Sequence, residues 1–501
     1  MPFGNCSKKG ETSNEKIILL LFMLTELIYS QEIHLRTVPL AASNQGDFYP
    51  SLSRGMGNLS IAFDDPLSDP LINPAKTYKL EGLRLFFSPT RNTWSNEDGQ
   101  AVSTSSGLAK YAGTAINSMP FGLFMKKENF FTGGIVSYQS YSSERSIPNG
   151  WLNNNTKNDI GNNIYLLGLV GAYFPELKLS VGGSVSWSEL DAMDGVNLLY
   201  PGSYDIKQYG RSLNYKIGFL GELSKRDQLE FVIARTTFKS FHEVTYGLPY
   251  LWYEDNWISQ YRTELNKDES KGWVIHTKYN NSINDEVKVG VIFTINWKEH
   301  PKIPNYVLAN IPRDPGSSTA YNIGIGIVKS GERTLLGFEY IYEPMTSYTW
   351  AEAGEGNPSF PLSFRTVENF FDFYNHIFRG GIYTHTDISW LDYRLGIQLY
   401  FNKYNLKQND NILNTSRTVN ENWLETTICG GLTINISGFQ ILYSLQVILG
   451  NGIVGSENNF VWPADAAIRS ESDFIIAPYA SLVVDEIPLV TQQISFVYNL
   501  K

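Results

Sequence analysis

Residue types that carry enzymatic chemistry are thinly spread in this chain. Its six histidines, His34, His242, His276, His300, His376 and His385, stand far apart, and none belongs to a His-Glu-x-x-His or comparable metal-ligating spacing. No Gly-x-Ser-x-Gly elbow occurs. The glycines of "GIGIVKSG", residues 324–331, lie where apolar residues alternate, so the run reads as strand and cradles no phosphate. An enzyme finds no support here, and neither a metal nor any other cofactor is expected. What remains is binding chemistry, and it depends on the elements that hold the polar groups.

One stretch stands out. Residues 63–77, "FDDPLSDPLINPAKT", carry Asp64, Asp65 and Asp69 among Pro66, Pro70 and Pro74. Proline at this density excludes a long helix or a central strand, because each ring fixes φ and removes a backbone donor. The rest of the 501 residues has another character: 14% aromatic, with 30 Tyr and 28 Phe, and only 18% charged. That is too aromatic for disorder. No run of eighteen apolar residues follows the N-terminus, so no helix is expected to span a bilayer. Lys8, Lys9 and Lys16 precede the apolar stretch 17–30, with Ser30-Gln31 as the expected cleavage point, the pattern of a signal peptide. Cys6 and Cys429 are the two cysteines, which excludes a disulfide framework. A net charge of -10 without a basic stripe argues against nucleic acid as a partner.

Strict alternation is the main structural signal. In residues 177–188, Leu177, Leu179, Val181, Val185 and Trp187 oppose Lys178, Ser180, Ser184, Ser186 and Ser188. Residues 286–298 and 392–401 repeat the pattern. Such segments run about ten to fifteen residues, the length a tilted strand needs to cross a membrane. Short links at 126–129, 175–178, 224–227, 281–285, 330–333 and 437–438 alternate with long stretches at 144–162, 191–210, 247–269, 300–316, 350–374, 407–420 and 451–488. Short turns on one side and long loops on the other predict an all-β, antiparallel transmembrane barrel of sixteen strands, with fourteen as the alternative. Trp187, Trp273, Trp297, Tyr340 and Tyr342 fall near strand ends, as interfacial girdles would use them. The expected division is signal peptide 1–30, an N-terminal segment 31–81 and barrel 82–501, in the outer membrane of a double-membrane bacterium.

Residues 54–75, "RGMGNLSIAFDDPLSDPLINPA", resemble the N-terminal part of FadL-type outer-membrane transporters and their PorV-like relatives. The matching positions are Met56, Gly57, Ala62, Asp64, Asp65, Asn73, Pro74 and Ala75. Asn58, Leu59 and Ser60 depart from the small residues that follow Met-Gly in that family. The resemblance implies that the segment folds inside the barrel as a hatch, gated around Met56, Gly57, Asn73, Pro74 and Ala75. Long-chain fatty acids or aromatic hydrocarbons would then pass it without energy input. It also implies a kink in the third strand that opens the wall sideways, for which Gly133 and Gly134 are the candidates, although Gly182-Gly183, Gly380-Gly381 and Gly430-Gly431 show that glycine pairs recur.

Tyr246, Leu248, Tyr250, Leu251, Trp252 and Trp257 form an apolar group within residues 244–257, read as part of a long loop and suited to capturing a hydrophobic ligand. Among inward charges Lys178, Lys216, Glu222, Lys288, Glu339, Glu343, Arg379 and Arg394, the arginines Arg379 and Arg394 could hold a carboxylate. The expected partners are hydrophobic small molecules and the surrounding outer-membrane lipid and lipopolysaccharide. In the second reading, a PorV-like barrel docks envelope or secretion-system proteins and transports nothing. A general porin is the third.

Overall fold

The computed structural model describes residues 49–95, 102–104, 107–109, 113–147, 155–192, 205–253, 256–300, 303–305, 311–313, 316–352, 360–412, 414–453, 483–485 and 488–500. The expected signal peptide and the first part of the 31–81 segment lie outside these residues.

Seventeen extended stretches form one antiparallel sheet. Leu83–Phe87 and Thr90–Ser95 pair with the same two neighbours, so they are one strand, β1, interrupted at Ser88-Pro89. The wall therefore has sixteen strands. The others are β2 (Gly113–Lys127), β3 (Phe130–Ile147), β4 (Asn155–Phe174), β5 (Leu179–Leu190), β6 (Asp205–Glu222), β7 (Asp227–Tyr253) and β8 (Asn256–Ser282). They continue with β9 (Val287–His300), β10 (Gly316–Ser330), β11 (Thr334–Glu352), β12 (Arg365–His385), β13 (Leu391–Asp410), β14 (Thr415–Ile436), β15 (Phe439–Leu449) and β16 (Leu489–Leu500). Each strand pairs with the next in sequence, and β16 pairs with β1, from Leu83 opposite Leu500 to Phe87 opposite Phe496, which closes the cylinder. Closure leaves no unpaired edge for lipid to meet.

The wall is inside out relative to a soluble protein. On β2, Met119, Phe121, Leu123 and Met125 point outward and are 40–54% exposed. Ile323, Ile325 and Ile327 on β10 and Ile428 and Leu432 on β14 do the same. The opposite, inward parity carries many polar side chains, among them Ser118, Gln139, Asn163, Ser184, Asn322, Gln398 and Gln446, together with glycines and an apolar patch near the short-turn end. Water would not tolerate an apolar belt of that extent, whereas bilayer hydrocarbon requires it.

Strands reach further into the predicted loops than alternation suggests. The stretch 247–269 is a hairpin continuing β7 and β8, each of 27 residues, with a register shift between Leu248 and Leu251. Likewise β3 and β4 run to Ile147 and from Asn155. The predicted loop 407–420 shrinks because β13 ends at Asp410 and β14 starts at Thr415, and β12 begins at Arg365 inside the predicted loop 350–374. A further short turn, Thr386 to Trp390, joins β12 to β13 on the side of the other short links. Beyond the bilayer both faces of a ribbon meet water, so the oily period of two vanishes while the hydrogen-bonded ladder continues.

Candidate functional site

Residues 49–80 lie inside the cylinder. They contain only short helical pieces, Ser53–Met56, Asp69–Ile72 and Pro74–Lys79, as the prolines dictate. Asp65 organises the segment: one carboxylate oxygen accepts from Ser51 Oγ at 2.7 Å and the amides of Leu52 and Ser53 at 2.8 and 3.0 Å, and the other from the Leu67 amide at 3.1 Å. Asn73 caps the last helical piece, its Oδ1 accepting from the Ala75 amide at 3.1 Å. With no ladder partner, this backbone must find its acceptors and donors on the barrel wall.

Three grips meet that need. Ser60 is held on all sides: its amide donates to Glu339 of β11 at 2.7 Å, its carbonyl accepts from Lys278 of β8 at 2.7 Å, and its hydroxyl accepts from Arg379 of β12 at 2.9 Å. Asn58 donates to Gln398 of β13 at 3.1 Å and accepts from Gln446 of β15 at 3.0 Å. Asn73 donates to Glu230 of β7 at 3.2 Å and to the Phe219 carbonyl of β6 at 3.1 Å.

Beside Asn73 lies a charge cluster whose inner members, Lys76, Lys278 and Glu230, are buried and whose outer members, Asp64 and Lys288, are partly exposed. Lys76 Nζ is 2.8 Å from Asp69 and 2.9 Å from Glu230, Lys278 is 3.8 Å from Glu230, and Lys288 is 2.6 Å from Asp64. Three carboxylates thus face three ammonium groups. Burial opposes the charge on Lys76, but Asp69, Glu230 and Asp64 outweigh it and hold its pKa well above the ordinary lysine value. Burial likewise opposes the Asp64 carboxylate, but Lys76 and Lys288 hold its pKa below the ordinary range.

Glycines on the wall let the segment come close. A Cβ on Gly396 would stand 2.0 Å from the Gly57 nitrogen, and one on Gly381 would stand 2.3 Å from the Met56 carbonyl oxygen. Gly337, Gly381 and Gly396 are successive cross-strand partners, which makes a smooth track under residues 56–59. Gly182 and Gly218, paired on β5 and β6, lie under Pro74 and Asn73. Gly57 itself has φ +67°, a conformation that suits glycine.

The opposite face of the segment is apolar. Leu67, Leu71, Ala75, Tyr78 and Leu80 pack on Phe86, Phe124, Phe131, Ile135, Leu169, Leu220, Leu442 and Val497, inward residues near the short-turn end of the wall. Phe86 and Phe124 stack with centroids 5.9 Å apart. Tyr78 stacks on Tyr173 at 4.7 Å and donates its hydroxyl to Glu222.

The candidate residues named from sequence distribute as follows. Met56, Gly57, Asn73, Pro74 and Ala75 are all buried at the contact between segment and wall. Arg379 bonds Ser60 and lies 3.4 Å from Glu339. Arg394 is walled in between Gly55 and Gly431 and donates to the Leu432 carbonyl at 2.9 Å. Lys216, Glu222, Lys288, Glu339 and Glu343 also point inward, whereas Lys178 sits in a turn with φ 49°. Around Gly133 and Gly134 the ladders to β2 and β4 run without a register shift, and the Phe124 ring fills the space beside Gly133. No bulge interrupts the wall there. Tyr246, Leu248, Tyr250, Leu251, Trp252 and Trp257 belong to the β7–β8 hairpin and not to a loop, and their side chains lie outside the described residues. The sequence reading did not single out Glu230, Lys278, Lys76 or Gln446; the inward parity of the wall residues among them was available from alternation, their partners were not.

No protein-family model matches the chain, and no curated protein matches it. Solved structures to which it is similar include the CymD monoaromatic hydrocarbon channel, at 10% identity over 90% of this chain and 97% of that one, TM-score 0.39. The P. putida toluene transporter TodX is similar at 10% identity over 91% and 99%, TM-score 0.40, and a Pseudomonas aeruginosa FadL homologue at 9% over 91% and 100%, TM-score 0.40. Likeness of this degree carries no argument about cargo. Strand pairing and the inverted wall stand without it: the chain is a sixteen-stranded outer-membrane β-barrel protein.

Proposed function

We propose that the barrel lets hydrophobic small molecules, such as long-chain fatty acids or aromatic hydrocarbons, cross the outer membrane passively, and that residues 31–81 act as its hatch. The reading assigns the chain no catalytic step. The observation that carries it is the two-faced seating of residues 49–80, with ion pairs and amide bonds on one side and an apolar contact on the other. Water and sugars gain nothing from an apolar crevice. A hydrophobic molecule can take the place of a leucine there, a contact worth about 1.5–3 kcal/mol per side chain. Pulling one partner from a buried ion pair instead costs about 3–5 kcal/mol, which a hydrophobic cargo cannot offset. Gating would then use small shifts of the hatch around Asn73-Pro74-Ala75, on the side where Ala75 joins the apolar contact.

The test is uptake of radiolabelled fatty acid and of sucrose by liposomes holding the purified protein. Fatty acid entering without sucrose supports the reading. Sucrose flux would mark a general porin, and movement of neither would favour a barrel that docks envelope proteins.

A further inference from the structure

On the outside of β6 to β9 the side chains change character in order as the strands rise toward the long-loop end. Strand register makes the order explicit. Ile217, Ile233, Ile275 and Ile295 are successive cross-strand partners on the lipid-facing parity, an oily rung across four strands. The next rung up is Tyr215, Arg235, Trp273 and Trp297, a guanidinium set among three aromatic rings. Arg235 lies over the Trp273 ring, 4.6 Å from its centroid. Above it come Lys271, opposite Glu299, and then Arg211, Lys239 and Glu269, with Glu189 beside Arg211 on β5. On neighbouring β10 the same rungs carry only Tyr321, Thr319 and Ser317.

In a chain of net charge -10, four cations here face three carboxylates. The carboxylates are shared unevenly. Lys239 and Lys271 both reach Glu269, at 3.1 and 3.3 Å, and Arg211 stands 3.7 Å from Glu189. Arg235 has no carboxylate within ion-pair distance among the described residues; its partner is the Trp273 ring. Lys271 is diagonal to both Arg235 and Lys239 across the β7–β8 pair, about 7–8 Å away by backbone, so three long cationic side chains can converge on one anion. A guanidinium at the edge of bilayer hydrocarbon needs water or an anion, and the anions at that depth are lipid phosphates.

We propose that this sector is a docking site for a phosphate-bearing glycolipid of the outer leaflet, with its acyl chains on the isoleucine rung and its phosphate among Arg235, Lys239 and Lys271. Short turns face the periplasm, so the long-loop end of the wall lies in that leaflet. The order of the rungs matches the order of the ligand: chain, interface, head group. A guanidinium fork fits phosphate by two hydrogen bonds, and charge-assisted bonds of this kind are the strong ones. A lipid without phosphate keeps the chain contacts and loses the anchor. The site needs neither the hatch nor the passage of cargo.

Native mass spectrometry of the full chain in detergent, titrated with diphosphoryl lipid A and with the same lipid freed of its phosphates, tests the site. Three proteins are compared: the native chain, a triple variant carrying Arg235→Gln, Lys239→Gln and Lys271→Gln, and a control with Lys403→Gln and Lys407→Gln, two exposed lysines of β13. Heat-modifiable migration first shows that each barrel is folded. The native chain is expected to hold the phosphorylated lipid about tenfold more tightly than the other, the effect of one charge-assisted bond. The triple variant should hold the two lipids alike, and the control should keep the native preference. No preference in the native chain, a preference that survives in the triple variant, or an equal loss in the control overturns the site. Should the triple variant fail to fold, Arg235→Gln alone is expected to weaken the preference, and an unchanged preference overturns the site. Displacement of the phosphorylated lipid by millimolar inorganic phosphate overturns the lipid assignment, since a free anion would then suffice.

Discussion

Lys76 of the inner segment lies 2.9 Å from Glu230 of β7, two buried charges separated by more than 150 residues of chain. The pair joins the segment to the wall, and Asp69, Asp64, Lys278 and Lys288 extend it in both directions.

Removing one partner should loosen the segment more than it harms the barrel. Lys76→Met leaves Asp64, Asp69 and Glu230 facing two ammonium groups, and an uncompensated buried charge costs about 3–5 kcal/mol. The expected outcome is sucrose leak into liposomes and faster proteolysis within residues 49–80, while heat-modifiable migration of the barrel stays native. An unfolded barrel would assign the pair to assembly.

The glycine track makes a second contrast. Gly396→Ala places a methyl group 2.0 Å from the Gly57 nitrogen, against backbone that has no room to yield, whereas a Cβ at Gly430 meets nothing within 4 Å. Gly396→Ala should leak and Gly430→Ala should not. Sucrose flux measured side by side decides it.

Asn73→Ala combined with Pro74→Ala removes the cap on the Ala75 amide, the bonds to Glu230 and Phe219, and the fixed φ of the proline. Loss of the cap alone is worth about 1 kcal/mol. Slower or leakier passage with an intact barrel is expected; a failure to assemble would give this stretch a folding role.

Acidity and alkalinity should act at opposite ends. The Asp64 carboxylate is held below its ordinary pKa of 3.8, so its contribution to seating is complete above that value and is lost as pH falls through the lower folded value. Lys76 is held above 10.5, so its contribution is complete below that value and is lost only as pH rises through the higher folded value. From these two groups, leak should grow at strongly acid and at strongly alkaline pH. A steep change near neutrality would contradict the ionic grip.

Much of the barrel was legible because strand side chains have a period of two. Parity alone placed Glu222, Glu339, Arg379 and Arg394 on the inward face, and sixteen strands followed from the rhythm of turns. The 247–269 stretch was misread because oily alternation stops where the β7–β8 ribbon leaves lipid, although its pairing continues. Parity also separates Gly182 from Gly183, since Gly182 shares the inward face with Ser180 and Ser184 and lies against Pro74. The partners of the segment were not legible. Ser60 meets Glu339 across 279 positions, and no local pattern encodes that meeting. Asn58, Leu59 and Ser60, which depart from the resembling family, are the residues that meet Gln398, Gly337 and Glu339.

The measurement that bears most directly on the account is the conductance of planar bilayers holding either the native chain or the chain lacking residues 49–80. The account predicts that the native barrel passes almost no current and that the shortened one opens a steady aqueous pore. Equal, porin-like conductance from both would show that the segment does not close the barrel.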